Sequence, residues 1–176
     1  MKKSIIASII ALGMVGGAAH AADVAKNNIF FHGSVTDTTC DITPSVNGTL
    51  LPSGTINLPV AQVGQEGQGV EFALKAADPT AAGCAGLTNQ KTAIVSWVSD
   101  KLDATGLRVD GQASDAMVLL SSVNAKTPGA INLTANTAEF TADNVIGDGL
   151  KFSAKTKGGN TAGTFSTAAS FTVAYK

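Results

Sequence analysis

The sequence is short of the groups that do chemistry. It holds two histidines, two cysteines, one tryptophan and one tyrosine in 176 residues. Twelve basic residues stand against 13 acidic ones, so there is no cationic face for nucleic acid or anionic lipid. No run reaches the roughly twenty apolar residues of a membrane-spanning helix, so no transmembrane segment is expected. Sugar-binding modules present aromatic platforms. Here Trp97 and Tyr175 both fall inside strand patterns, where core packing is the expected role.

What is present begins with an address. Lys2 and Lys3 precede an apolar run from Ile5 to Val15, and Ala19-His20-Ala21 fits the small-x-small pattern of a signal peptidase site. Residues 1–21 are therefore expected to be removed, leaving a mature exported chain that starts at Ala22. Taking Lys2 and Lys3 from the 12 basic residues leaves 10 against 13 acidic ones, a net charge of −3. In an exported chain the lone pair Cys40 and Cys84 reads as a disulfide. A loop of that size stabilises the fold by about 4 kcal/mol in the chain-entropy picture. Two sulfurs without a neighbouring histidine make a poor metal site.

From Asn27 onward, short Val, Ile, Phe and Thr stretches alternate with Gly, Asn, Asp and Pro, which predicts a single all-β sandwich domain. Leu150, Phe152 and Ala154 alternate with Lys151, Ser153 and Lys155, the pattern of a half-buried strand. The apolar stretch Thr92 to Val98 predicts a central strand covered on both faces, with Trp97 as its largest core residue. Met117 to Val123 and Ala130 to Leu133 are further strands, and Gly64 to Gly69 and Asp78 to Gly83 are connections. The final stretch, Gly163 to Lys176, places Phe165, Thr167, Ala169, Phe171, Val173 and Tyr175 on one side of a long strand, expected to pair with Leu150 to Lys155.

Candidate chemistry is sparse. His20 leaves with the leader, and His32 is a lone histidine with no nucleophile motif beside it, so no catalytic residue is assigned. Asp143, Asp148 and Gly149 lack the spacing of a twelve-residue calcium loop and read as a tight turn. Gly147-Asp148-Gly149 is likewise no phosphate loop, because Lys151 follows in a strand pattern. Asn47-Gly48-Thr49 and Asn132-Leu133-Thr134 match the glycosylation triplet, a pattern frequent by chance. No cofactor and no metal are expected.

The two ends share a peculiarity. Ile29, Phe31, Gly33 and Val35 alternate on one face of an extended arm, and the residues from Ala22 to Asn28 before them are polar and small. Gly33, inside the apolar row, marks a place where another backbone comes close. At the other end the apolar face runs into the last residues. A terminal strand frays unless a partner holds it.

Phe31-x-Gly33, a cysteine seven residues after that glycine, a second cysteine about forty residues later, Gly163 fourteenth from the end and the penultimate Tyr175 together resemble the pilin subunits of chaperone-usher fimbriae of the type 1 kind. The resemblance spans the whole mature chain. It implies an incomplete immunoglobulin-like β-sandwich that lacks its seventh strand and is completed by a donor strand from a neighbouring subunit or a chaperone.

Carried onto this sequence, the resemblance divides the chain into a signal peptide (1–21), a donor-strand arm (22–36) and a pilin domain (37–176). Ile29, Phe31, Gly33 and Val35 become the donor face. Gly163, Phe165, Phe171, Val173 and Tyr175 become the acceptor groove and chaperone contact, and the carboxylate of Lys176 is gripped by basic groups of the chaperone. The implied partners are other copies of the chain and other pilins, head to tail, a periplasmic chaperone and an outer-membrane usher. The implied function is that of a structural subunit of a surface fimbrium used in adhesion, the major rod subunit first and a minor tip or adaptor subunit second. The rival from another class is a free-standing exported carbohydrate-binding sandwich.

Overall fold

The computed structural model of the chain describes residues 40–176. The expectations for the leader, for His20 and His32, and for the arm residues Ile29, Phe31, Gly33 and Val35 lie outside the described residues. Within them the chain forms twelve strands and two short 3-10 turns. In order the strands are β1 (Ile42–Val46), β2 (Thr49–Leu50), β3 (Val70–Ala76), β4 (Thr92–Val98), β5 (Leu107–Arg108) and β6 (Asp110–Gly111). They continue with β7 (Met117–Ser122), β8 (Ala130–Ile131), β9 (Thr137–Thr141), β10 (Leu150–Lys157), β11 (Phe165–Ser166) and β12 (Ser170–Tyr175).

One sheet runs β2-β1-β3-β10-β7-β5, with β8 also on β7; the other is β12-β4-β9, and β6 and β11 make a small ladder of their own. All pairings are antiparallel. The first hairpin closes at Asn47 and Gly48, whose φ of 50° and 80° are left-handed, as a two-residue turn between Val46 and Thr49 requires. The β8 segment is shorter than expected. Asn132 Oδ1 accepts hydrogen bonds from Thr134 N (3.0 Å), Thr134 Oγ1 (2.9 Å) and Ala135 N (2.9 Å), folding the chain into a turn just after Ile131.

The core lies between the two main sheets. Leu74, Val95, Phe140, Leu150 and Phe152 are completely buried, and Trp97 nearly so. Trp97 and Phe152 meet edge to face across the sheets with ring centres 5.2 Å apart, and Phe171 leans on Trp97 at 5.6 Å. Such pairs add about 0.5 to 1.5 kcal/mol each beyond the area they bury. The alternation from Leu150 to Lys155 is as expected: Leu150, Phe152 and Ala154 face the core while the residues between them are half-exposed. Strand β4 is central in its sheet. Its outer face is only half-covered, because Ala93, Val95 and Trp97 point inward while Ile94 and Ser96 stay half-exposed.

Two expectations are corrected. The strand from Leu150 does not pair with the final strand: β10 sits between β3 and β7, and β12 joins the opposite sheet through β4. The connection between them is pinned on the way, because Asp115 accepts from Asn160 N (2.6 Å) and Thr161 N (3.3 Å) and Gly159 O accepts from Gly64 N (2.8 Å). It therefore crosses from one sheet to the other. Nor is the final stretch one long strand. Thr167 Oγ1 donates to Arg108 O (2.7 Å) and Ala168 O accepts from Ser99 Oγ (2.7 Å), so the chain bends between β11 and β12.

Cys40 and Cys84 are joined, tying the start of β1 to the turn after β3 across 44 residues of sequence. Replacing both cysteines by alanine is expected to lower the unfolding free energy by about 4 kcal/mol, read from denaturant titration of the purified protein.

Candidate functional site

An open apolar groove of about 960 Å³ runs along one side of the sandwich. Its floor is core: Phe72, Leu74, Trp97, Val118, Leu120 and Ala154 all line it. These side chains are themselves buried, so the floor of the groove is the sandwich's own core. One wall is the stretch from Ser53 to Val63, and the other runs from Gly163 through β11 to Phe171.

Both walls carry unused backbone. Strand β12 is hydrogen-bonded to β4 alone among the described residues. On the facing wall, no backbone hydrogen bond among the described residues ties Thr55 to Ala61. Ile56 and Leu58 still pack on the core, and Val60 is 96% exposed. Two edges whose N–H and C=O groups are unpaired among the described residues, on either side of an apolar floor, can accept one extended chain between them.

The structure brings part of the expected acceptor set together. Gly163, Phe165 and Phe171 line the groove. Val173 and Tyr175 continue along β12 and pack half-buried against the core, beyond the residues that line the groove. Lys176 exchanges two backbone hydrogen bonds with Thr92 (2.8 and 3.0 Å), and its Nζ reaches Glu139 Oε1 at 2.7 Å. That hydrogen bond and charge hold the Glu139 carboxyl below its usual range.

Gly163 has a clear physical role. Its φ is 152°, and a Cβ there would lie 2.5 Å from Gln112 Cβ. Gly111 on the facing strand meets the same limit, with a Cβ falling 2.5 Å from Thr164 O. The β6–β11 ladder that builds the groove's rim thus needs two residues without side chains.

Sequence reasoning missed the second wall. The signal was there: Ile56, Leu58 and Val60 alternate in "TINLPVA", and Pro59 is compatible only with an edge. Trp97 offers no platform to a sugar, since it is 7% exposed beneath the groove. The stretch from Asp143 to Gly149 is a turn. Gly149 (φ 90°) donates to Asn144 O at 2.7 Å and Asp143 lies in a 3-10 turn. Among the described residues no cluster of His, Cys, Asp or Glu is arranged for a metal ion.

With this geometry in view, the chain was compared with known proteins. No family profile matches it. The F107 fimbrial protein of Escherichia coli is 36% identical over 177 residues, covering all of both chains. The K99 fimbrial protein of Escherichia coli is 34% identical over 193 residues, covering 99% of each. Among solved structures, the P pilus rod subunit PapA aligns with a TM-score of 0.49 at 17% identity, over 85% of this chain and all of that one.

Two outcomes follow from the site. Gly163→Ala is expected to cost roughly 1 to 3 kcal/mol of stability by forcing the β6–β11 ladder apart, measured by thermal unfolding. Tyr175, whose hydroxyl is buried without a partner among the described residues, has its pKa pushed up to about 12 by desolvation. It is the single tyrosine, so an ultraviolet titration of tyrosinate should show a midpoint near 12 in the folded protein and near 10 once unfolded. Below pH 10 the shift leaves stability untouched. As pH rises from about 10 toward 12 the unfolded chain ionises first, and stability falls.

Proposed function

This chain belongs to the fimbrial subunit family of the chaperone-usher kind, structural proteins rather than enzymes, and on that premise we propose that it polymerises by donor-strand exchange as a rod-forming subunit. The arm (residues 22–36) of one copy lies in the groove of the next, placing Ile29, Phe31, Gly33 and Val35 over the floor. The pilin domain (37–176) supplies the acceptor. Before assembly, a strand lent by a periplasmic chaperone covers the same edge, with Tyr175 and Lys176 at that contact, and an outer-membrane usher passes the subunit to the surface. Chaperone and pilin pairs are an established instance of such strand addition.

The observation that carries the reading is the groove itself: about 960 Å³ floored by core side chains and bordered by a β12 edge without a partner among the described residues. Burying Ile29, Phe31 and Val35 in it contributes about 5 to 9 kcal/mol as an upper figure, before the ordering of the arm is subtracted. The contact joins unlike surfaces, so it propagates head to tail into a fibre and does not close. The rod role, over a minor tip or adaptor role, draws its support from the end-to-end match to fimbrial proteins and from the single sandwich.

Phe31→Asp tests the arm. The variant is expected to be exported and held by the chaperone at wild-type level, with no fibres under electron microscopy, because a carboxylate cannot be buried unpaired on an apolar floor. Fibres of normal length from Phe31→Asp would overturn the donor role.

A further inference from the structure

Asn47 and Gly48 form the tip of the first hairpin, outside the core. Both are exposed, and a Cβ built on Gly48 meets nothing within 4 Å. Among the described residues no backbone hydrogen bond ties the Gly48 N–H. A solvated glycine nitrogen with no side chain to shield it thus follows directly on an asparagine amide, a nucleophile beside an electrophile.

Other asparagines are held. Asn132 Oδ1 accepts from Thr134 N and Ala135 N, and Asn136 Nδ2 donates to Trp97 O at 3.1 Å. Asn124 Nδ2 donates to Gly149 O at 2.9 Å while its Oδ1 accepts from Lys151 N at 2.7 Å. None of these three precedes a glycine. Where an aspartate precedes one, the glycine is engaged: Gly111 lies in the β6–β11 ladder and Gly149 N donates to Asn144 O at 2.7 Å. Asn47 is restrained by its turn alone, through the left-handed φ of 50° and 80° at the two tip residues. The ladder behind that turn is Val46 with Thr49 and Ser45 with Leu50, β2 ends the sheet, and both β2 residues are exposed. A short exposed edge ladder opens at small free-energy cost.

We propose that Asn47 is a site of spontaneous covalent modification, converting through a succinimide to aspartate and isoaspartate, and that the isoaspartate form loosens the groove wall that follows the hairpin. Gly48 N gives its proton to solvent base and bonds to Asn47 Cγ. The Cγ–Nδ2 bond breaks, and the nitrogen leaves as ammonia with a proton from water. Water then opens the ring, at Cγ to leave aspartate or at the backbone carbonyl to leave isoaspartate, whose main chain runs through Cβ and Cγ. The net change is one water consumed and one ammonia released, with nothing oxidised or reduced.

Isoaspartate lengthens the main chain of a two-residue turn by a methylene, and the register of a hairpin is set by its turn. Leu51 N donates to Pro44 O at 2.7 Å and Gly54 N to Leu51 O at 2.8 Å, which is how the hairpin delivers the chain to the Ser53–Val63 wall. A longer turn shifts β2 against β1 and breaks the first of these bonds. The inference is independent of what the groove takes up.

The test holds the purified full chain, folded and with its disulfide intact, at neutral and at mildly alkaline pH over days, and maps its peptides by mass spectrometry. The peptide containing Asn47 is expected to gain the mass of an amide-to-acid change, faster at the higher pH, while those of Asn124, Asn132 and Asn136 do not. Asn47→Asp, which keeps a residue tolerant of left-handed φ, is expected to gain nothing there. Hydrogen exchange at Leu51 is expected to be faster in the isoaspartate fraction than in fresh wild type or fresh Asn47→Asp. An Asn47 peptide that stays unchanged in the folded protein overturns the site, and conversion of the same chain in denaturant would then assign the protection to the hairpin. A glycan already on Asn47 Nδ2 in protein purified from cells overturns it as well. Unchanged Leu51 exchange in the isoaspartate fraction overturns the link to the groove wall.

Discussion

Six residue pairs, from Ser170 with Val98 to Tyr175 with Ala93, join β12 to β4. That ladder sets Phe171 against Trp97 and puts Trp97 over Phe72 and Phe152 of the opposite sheet. Strand β12 thus helps hold the core while its outer edge stays unpaired among the described residues. A strand that is central to packing and peripheral to hydrogen bonding is a weak point for a monomer. For a subunit that must join another, the same edge is a template for one further strand.

The groove's two walls are built differently, and the difference follows from local chemistry. The Gly163 side is rigid. It is held by the β6–β11 ladder, by Asp115 gripping the backbone of Asn160 and Thr161, and by Thr167 and Ser99 fixing the bend before β12. The Ser53–Val63 side has side-chain packing at Ile56 and Leu58 but no backbone ladder among the described residues. Low hydrogen-bond density of this kind lets a segment adjust when a strand arrives. The disulfide bears on this wall too. By anchoring residue 40 beside residue 84 it holds β1 in place, and β1 leads through its hairpin into the Ser53 segment.

Much of this was legible from the letters. The alternation in Leu150 to Lys155 placed β10, the unbroken apolar run placed β4 with Trp97 inward, and the stretch from Asp143 to Gly149 read as a turn, whereas the turn at Asn132 was read as strand. What misled was the tail. Alternation from Phe165 to Tyr175 is continuous in sequence, yet the bonds that bend it, Ser99 to Ala168 and Thr167 to Arg108, reach partners 69 and 59 positions away and leave no local trace. Pairing was misread for a similar reason: neighbours in sequence pair often, but here the connection is captured by Asp115 and carried to the other sheet. The far groove wall was readable in "TINLPVA", where Ile56, Leu58 and Val60 alternate and Pro59 permits an edge.

The same physics explains how a joint without covalent bonds can hold a fibre together. In the proposed donor-strand exchange the arm would lie on core side chains, so its removal would disturb the acceptor's own packing and couple dissociation to loss of that packing.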